Sequence, residues 1–197
     1  LGGTLVTATA AELNYLDGAT VVIPGKVEGT NFTGSLLVGH TTTGTLSAAQ
    51  DNLGVGVDAL KAITSGDQNT AISGNSMAEL TTGRMNTAVG FYSGLGLSDG
   101  DYNTFLGRSA GQTVGGGDSN LCLGGAAGSN ISTGSGNVII GRVDADSATG
   151  DRQLKIVGND GSTTTTWITG ESTGNVEINE VWNPSLSTTG KALVMGL

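Results

Sequence analysis

The chain of 197 residues carries 35 glycines, few aromatic (4%) and few charged (13%) residues, and a net charge of −9 with a pI near 4.3. That balance excludes a basic patch for nucleic acid or an anionic membrane surface, and the single cysteine, Cys122, excludes an intrachain disulfide or a cysteine-built metal site. No apolar run reaches the roughly 18 residues of a membrane span, and the chain opens at Leu1 without methionine or a charged leader, as a piece of a longer protein would.

The first segment, residues 1–34, reads as a short helix and a connector. Thr9 and Glu12 have capping-box spacing, Leu13 and Leu16 follow, and Gly18 is a helix stop. A helix of about two turns does not stand alone, so Leu13 and Leu16 are expected to pack on copies of themselves. The apolar run Val21, Val22, Ile23 and then Pro24, Gly25, Gly29 and Gly34 suggest strands and turns. Residues 35–51 lead into the repeats.

Asparagine recurs at Asn52, Asn69, Asn86, Asn103, Asn120 and Asn137, always 17 residues apart. A fixed period of this kind marks a solenoid, in which each coil buries its apolar side by stacking on its neighbours. With Asn as position 1, position 4 is aliphatic (Val55, Ile72, Val89, Leu106, Leu123, Ile140), and so is position 12 (Ile63, Leu80, Leu97, Val114, Ile131, Ala148). Position 5 is small (Gly56, Ser73, Gly90, Gly107, Gly124, Gly141), and position 15 is Gly66, Gly83, Gly100, Gly117, Gly134 and then Asp151. Two aliphatic and two small columns predict two short strands and two turns per coil over residues 52–153.

Strand alternation sends positions 2 and 4 to one face and positions 3 and 5 to the other. The aliphatic face is expected inside, against position 12, and the small face is expected to meet partner chains. Glycine at position 15 is expected to supply a positive φ, with Asp67, Asp101 and Asp118 as turn formers beside it. Stacked asparagine amides are expected to form a ladder along the rod. Cys122 falls at position 3 and is expected to behave as a small buried hydrophobe. So thin a coil holds few aliphatic side chains, so association is expected to contribute to stability, and three chains suit a narrow rod.

Past Asp151 the period lapses into separate strands, Gln153 to Val157, Thr164 to Thr169 and Asn175 to Ile178, with a hairpin signal at Asn159, Asp160 and Gly161. Residues 154–197 are thus expected to form a small antiparallel β module capping the solenoid.

The residues predict no catalytic, cofactor-binding or metal-binding site. His40 is the only histidine. Asp144, Asp146 and Asp151 have a partial calcium-loop spacing, but Thr149 and Lys155 stand where the loop needs glycine and glutamate. Thr188 to Lys191 lacks the upstream glycine of a phosphate loop, and Ala192 stands in place of its hydroxyl residue.

The runs from Asn69 to Ser73 and from Asn86 to Gly90, with the Thr-Thr-Gly and Thr-Ser-Gly turns, resemble head repeats of trimeric autotransporter adhesins and related repeats of bacteriophage tail fibres. The segments Val6 to Gly18, Leu37 to Ser47 and Trp167 to Val176 are similar to tail-fibre segments of phages of marine bacteria and cyanobacteria. The resemblance implies an all-β homotrimer of parallel β-roll or β-helix coils in a virion tail fibre. Its expected partners are other tail or baseplate proteins and a host surface receptor, with no nucleic acid and no membrane insertion. Two alternatives share parts of the pattern. One is the head of a bacterial adhesin; the other is a left-handed β-helix acyltransferase, against which the 17-residue period and the missing histidine array count.

Overall fold

The computed structural model describes residues 25–29, 31–39 and 43–178, and these form an all-β parallel solenoid. Its strands are β1 (Gly25–Gly29), β2 (Phe32–Val38), β3 (Ala49–Gln50), β4 (Leu53–Val55), β5 (Thr70–Ile72), β6 (Thr87–Val89), β7 (Thr104–Leu106), β8 (Leu121–Leu123), β9 (Val138–Ile140), β10 (Leu154–Asn159), β11 (Thr164–Gly170) and β12 (Val176–Ile178). From β2 through β10 the strands of one sheet lie parallel, with a 17-residue step from Leu36 to Leu53, Leu53 to Thr70 and on to Val138. Antiparallel pairs close both ends, β1 on β2, then β10 on β11 and β11 on β12. The expected helix at Thr9 to Leu16, the run Val21 to Ile23, His40 and the stretch Thr188 to Lys191 lie outside the described residues.

The period extends one step before Asn52, because Leu36, Leu37 and Val38 pair with Leu53, Gly54 and Val55 and Ser47 N donates to Thr64 O. Ser35 stands where the coils have asparagine. At the other end the last coil is one residue short. Gly128 N donates to Val143 O where Gly111 N donates to Ala127 O, so the register shifts after Gly141. Gly150, not Asp151, therefore completes the glycine column, and Ala148 belongs to position 13 rather than position 12.

Each asparagine coil, from Asn52 on, has one strand, not two. The three-residue strand ends before position 5, and two β-turns follow, seen in Ala110 N donating to Gly107 O and Val114 N to Gly111 O. Positive φ recurs at position 7 (Asp58, Asn75, Tyr92, Ser109, Ala126) and at position 9 (Leu60, Met77, Gly94, Gly111, Gly128), which bars a continuous strand there. Inter-coil bonding persists through the turns nonetheless, as in Glu79 N to Leu95 O and Thr81 N to Ser98 O.

The strand faces are the reverse of the expected ones. Position 3 is fully buried from Ala71 and Ala88 to Phe105, Cys122 and Ile139, whereas position 4 is partly or largely exposed in every coil, with Val55 and Ile72 at 37%. The reason is the narrowness of the coil. A three-residue strand facing two turns sends one side chain inward, where it shares the interior with position 9 of its own coil and with the large side chains of adjacent coils, as the Phe105 ring and Met77 do beside Gly94. Leu60 accompanies Gly54 and Met77 accompanies Ala71, while Gly94, Gly111 and Gly128 accompany Ala88, Phe105 and Cys122. Position 12 is buried as expected from Ile63 to Ile131.

The small columns also have intrachain causes. Glycine at position 15 does not take a positive φ; a Cβ on Gly66, Gly83, Gly100, Gly117 or Gly134 would come within 2.5 Å of the carbonyl oxygen of the same position one coil on. At position 5, glycine does take a positive φ, and a Cβ on Gly56, Gly90 or Gly107 would lie 2.6 Å from the backbone carbonyl carbon of the next coil. Ser73 is the exception, held at φ 105. Such a backbone costs about 1–3 kcal/mol in a non-glycine residue. Ser73→Gly should therefore stabilise the fold by about 1 kcal/mol after the extra unfolded-chain entropy of glycine is deducted, read as a raised denaturation midpoint in urea. An unchanged or lowered midpoint would show that Ser73 is not strained.

Past the coils, the predicted hairpin is present. Asn159 pairs with Thr164, and the Asp160 carboxylate accepts hydrogen bonds from Ser162 N (2.9 Å) and Thr163 N (2.7 Å). The Thr163 and Ser162 amides hold the Asp160 carboxyl below its ordinary range. Because its folded pKa is lowered, its contribution is present above the unfolded pKa and disappears as pH falls through the folded one. At neutral pH the Ser162 and Thr163 amides should therefore exchange with solvent more slowly than in Asp160→Ala, and acidification through the folded pKa should abolish the difference. Equal protection in both proteins at neutral pH would refute this.

Candidate functional site

The side chains that the repeat keeps constant are used between coils. Asn103 N and Nδ2 donate to Asn86 Oδ1 at 2.8 and 3.1 Å, Nδ2 also donates to Gly117 O at 2.8 Å, and Asn103 Oδ1 accepts from Asn120 N and Nδ2 at 2.9 and 3.1 Å. The carboxamide thus uses both donors and both lone pairs, which is what a fully buried amide requires. The same bonds link Asn52, Asn69, Asn86, Asn103, Asn120 and Asn137, each no more than 2% exposed. Ser35 Oγ accepts from Asn52 N at the start, and Gln153 replaces asparagine at the end, its Nε2 donating to Asn137 Oδ1. The predicted ladder is present; Ser35 terminates it one full period before Asn52, and Gln153 ends it one residue off the 17-residue spacing.

A second ladder follows position 16. Asp67 Oδ1 accepts from Gln50 N, Asp101 from Arg84 N, Asp118 from Asp101 N and Asp151 from Ser135 N, at 2.7–3.0 Å. The turn aspartates act on the preceding coil rather than on their own turn. Inside the coil, Ser76 Oγ and Ser93 Oγ donate to the carbonyls of Ala88 and Phe105, each at 3.0 Å.

The residues with a partial calcium spacing are not brought together. Asp144 accepts from Ser129 Oγ, Asp146 pairs with Lys155, and Asp151 caps Ser135 N. Among the described residues no group of three or more His, Cys, Asp or Glu converges, and no helix is long and apolar enough to cross a membrane.

Cys122 is fully buried at position 3, and burial pushes its thiol pKa up to about 12. Its thiolate fraction at neutral pH is negligible, so the native protein should not react with a thiol reagent on a scale of minutes, while denaturation should expose one equivalent. Fast labelling without denaturant would contradict this burial.

The surface that remains is the outer face of the sheet. Position 4 forms a column of Val38, Val55, Ile72, Val89, Leu106, Leu123 and Ile140, and registered pairing carries it on through Ile156, Ile168 and Ile178. None of these ten side chains is buried. Position 2 runs beside it as Leu36, Leu53, Thr70, Thr87, Thr104, Leu121, Val138 and Leu154, all intermediate or exposed. More apolar side chains lie exposed near the strand ends, Val57 and Phe91 at position 6 and Met85 and Tyr102 at position 17. The aliphatic column is thus legible in the sequence, but it lies on the side opposite to the one that alternation suggested.

Comparison with protein-family models, with curated proteins and with solved structures finds no match for this chain.

Proposed function

We propose that this chain is a structural component of a bacteriophage tail fibre, a homotrimeric elongated shaft that supports host attachment. The observation that carries the reading is the outer aliphatic column. The repeating polar and glycine columns bind one coil to the next, and what the sheet leaves to outside partners is a line of uncharged side chains. Water-exposed apolar stripes of this extent are interaction surfaces, and each aliphatic side chain covered contributes on the order of 1 kcal/mol. A stripe two residues wide, bounded by tight corners, suits a wedge around a three-fold axis better than a broad sheet-on-sheet contact. The tail-fibre reading itself rests on the resemblance of the asparagine runs and of the segments Leu37 to Ser47 and Trp167 to Val176.

The test is antibody labelling of phage particles from a lysate of the host, viewed by negative stain. Label on tail appendages is the expected result. Label on intact bacterial surfaces and not on particles would replace the reading with that of an adhesin head.

A further inference from the structure

We propose that the outer column from Val38 to Ile178 is the face on which copies of this chain pack, parallel and in register, about a common axis. The inference rests on the homotrimeric-shaft reading and adds to it the surface and the relative direction of the chains.

The partner is specified by four features of the stripe. First, it outlasts the repeat. A column kept only for coil stacking would end with the last asparagine coil at Ile140, yet Ile156, Ile168 and Ile178 continue it through a change from parallel to antiparallel pairing. The outward face, and not the coil, is the constant element.

Second, it is free of charge. In a chain with a net charge of −9, no ionisable residue occupies position 2 or position 4 from β2 to β10, nor Ile168, Gly170, Val176 or Ile178 beyond them. Identical stripes can therefore meet without like-charge repulsion.

Third, its length and spacing match a copy of itself. Ten strands at about 4.8 Å make a line of about 43 Å with a side chain at every step, which a convex globular partner cannot follow. Another copy supplies the same steps over the same length.

Fourth, the threonines of position 2 set the direction. Thr70, Thr87 and Thr104 interrupt an otherwise aliphatic column. Parallel, in-register copies bring these hydroxyls to one another. End-to-end reversal over the ten strands would set them against Leu154, Val138 and Leu121, leaving hydroxyls without partners against aliphatic groups.

Site-directed cross-linking in a Cys122→Ala background tests the proposal, since alanine already occupies that inward position at Ala71 and Ala88. Under mild oxidation, Val55→Cys should give disulfide-linked dimers in high yield, because the same residue of each chain meets at the axis. Glu79→Cys, exposed on another side of the coil, should give none. An equimolar assembly of Val55→Cys and Ile168→Cys chains should give only like-with-like dimers. Leu106→Asp should convert the trimer to monomer in light scattering, with the β circular dichroism retained; should that variant not fold, the cross-linking still decides. Cross-linking at Glu79→Cys in place of Val55→Cys, mixed disulfides between the Val55→Cys and Ile168→Cys chains, or a wild-type chain monomeric at micromolar concentration would each overturn the proposal. Failure of the tail-fibre reading looks different: particles would carry no label while the Val55→Cys disulfide still formed.

Discussion

Asn103→Leu is expected to lower the unfolding free energy by about 2–6 kcal/mol, at about 1–3 kcal/mol for each of Asn120 N and Gly117 O, which are left without a partner while Asn120 Nδ2 keeps Gly134 O. The substitution removes the acceptor for Asn120 N and Nδ2 and the donor for Gly117 O, and all three lie inside the coil stack. Because coils are coupled only to their neighbours, a break in the middle of the ladder should also split the unfolding transition, with the two flanking blocks melting separately. Urea denaturation followed by circular dichroism reads both effects. A loss below about 1 kcal/mol with a single sharp transition would mean that the ladder is not what couples the coils.

Asn103→Asp sharpens the test by changing one atom's chemistry. Its second oxygen would face Asn86 Oδ1 and Gly117 O, both acceptors, so burial and repulsion raise the carboxyl pKa in the folded state. A raised folded pKa means that stability is greatest below the unfolded pKa and is lost as pH rises through the folded one. The variant should therefore be least deficient relative to wild type in acid and most deficient at neutral pH. A deficit independent of pH would show that the carboxylate escapes to water.

The second large effect is at Phe105, which fills the coil beside two glycines. A Cβ on Gly94 would lie 2.7 Å from the ring, and one on Gly111 would lie closer still. Phe105→Ala should cost about 3–5 kcal/mol through lost contacts and the cavity left behind. Gly111→Leu alone should be at least as damaging, because the ring occupies the space the new side chain needs. The backbone at position 9 already accepts larger residues, as Leu60 at φ 59 and Met77 at φ 46 show. The pair Phe105→Ala with Gly111→Leu re-creates the arrangement of Ala71 with Met77 and should recover about 2 kcal/mol or more, the burial of one leucine. Strict additivity of the two losses would refute the exchange of size between positions 3 and 9.

Much of this architecture is legible in the residues alone. The asparagine period predicts a parallel solenoid and its ladder, because a side chain that must repeat at every layer leaves the same residue at the same interval. Asn159, Asp160 and Gly161 predict the hairpin, since local turn chemistry depends only on neighbouring residues. Gln153 is not legible as the end of the ladder. Its coil is one residue short, so a count of 17 from Asn137 lands on Leu154 and passes over the residue whose amide bonds Asn137.

The sequence by itself determined the repeat, its columns and their chemical character, since periodicity and residue type are properties of the chain alone. Which way each column points was decided only by the tertiary structure. Period-2 alternation separates positions 2 and 4 from position 3 but carries no sign, and the sign depends on how much space two tight turns leave inside the coil. Leu60 and Met77 occupy that space in the early coils and Phe105 in the middle one, so position 3 faces inward throughout, and the aliphatic column from Val38 to Ile178 is left on the outside.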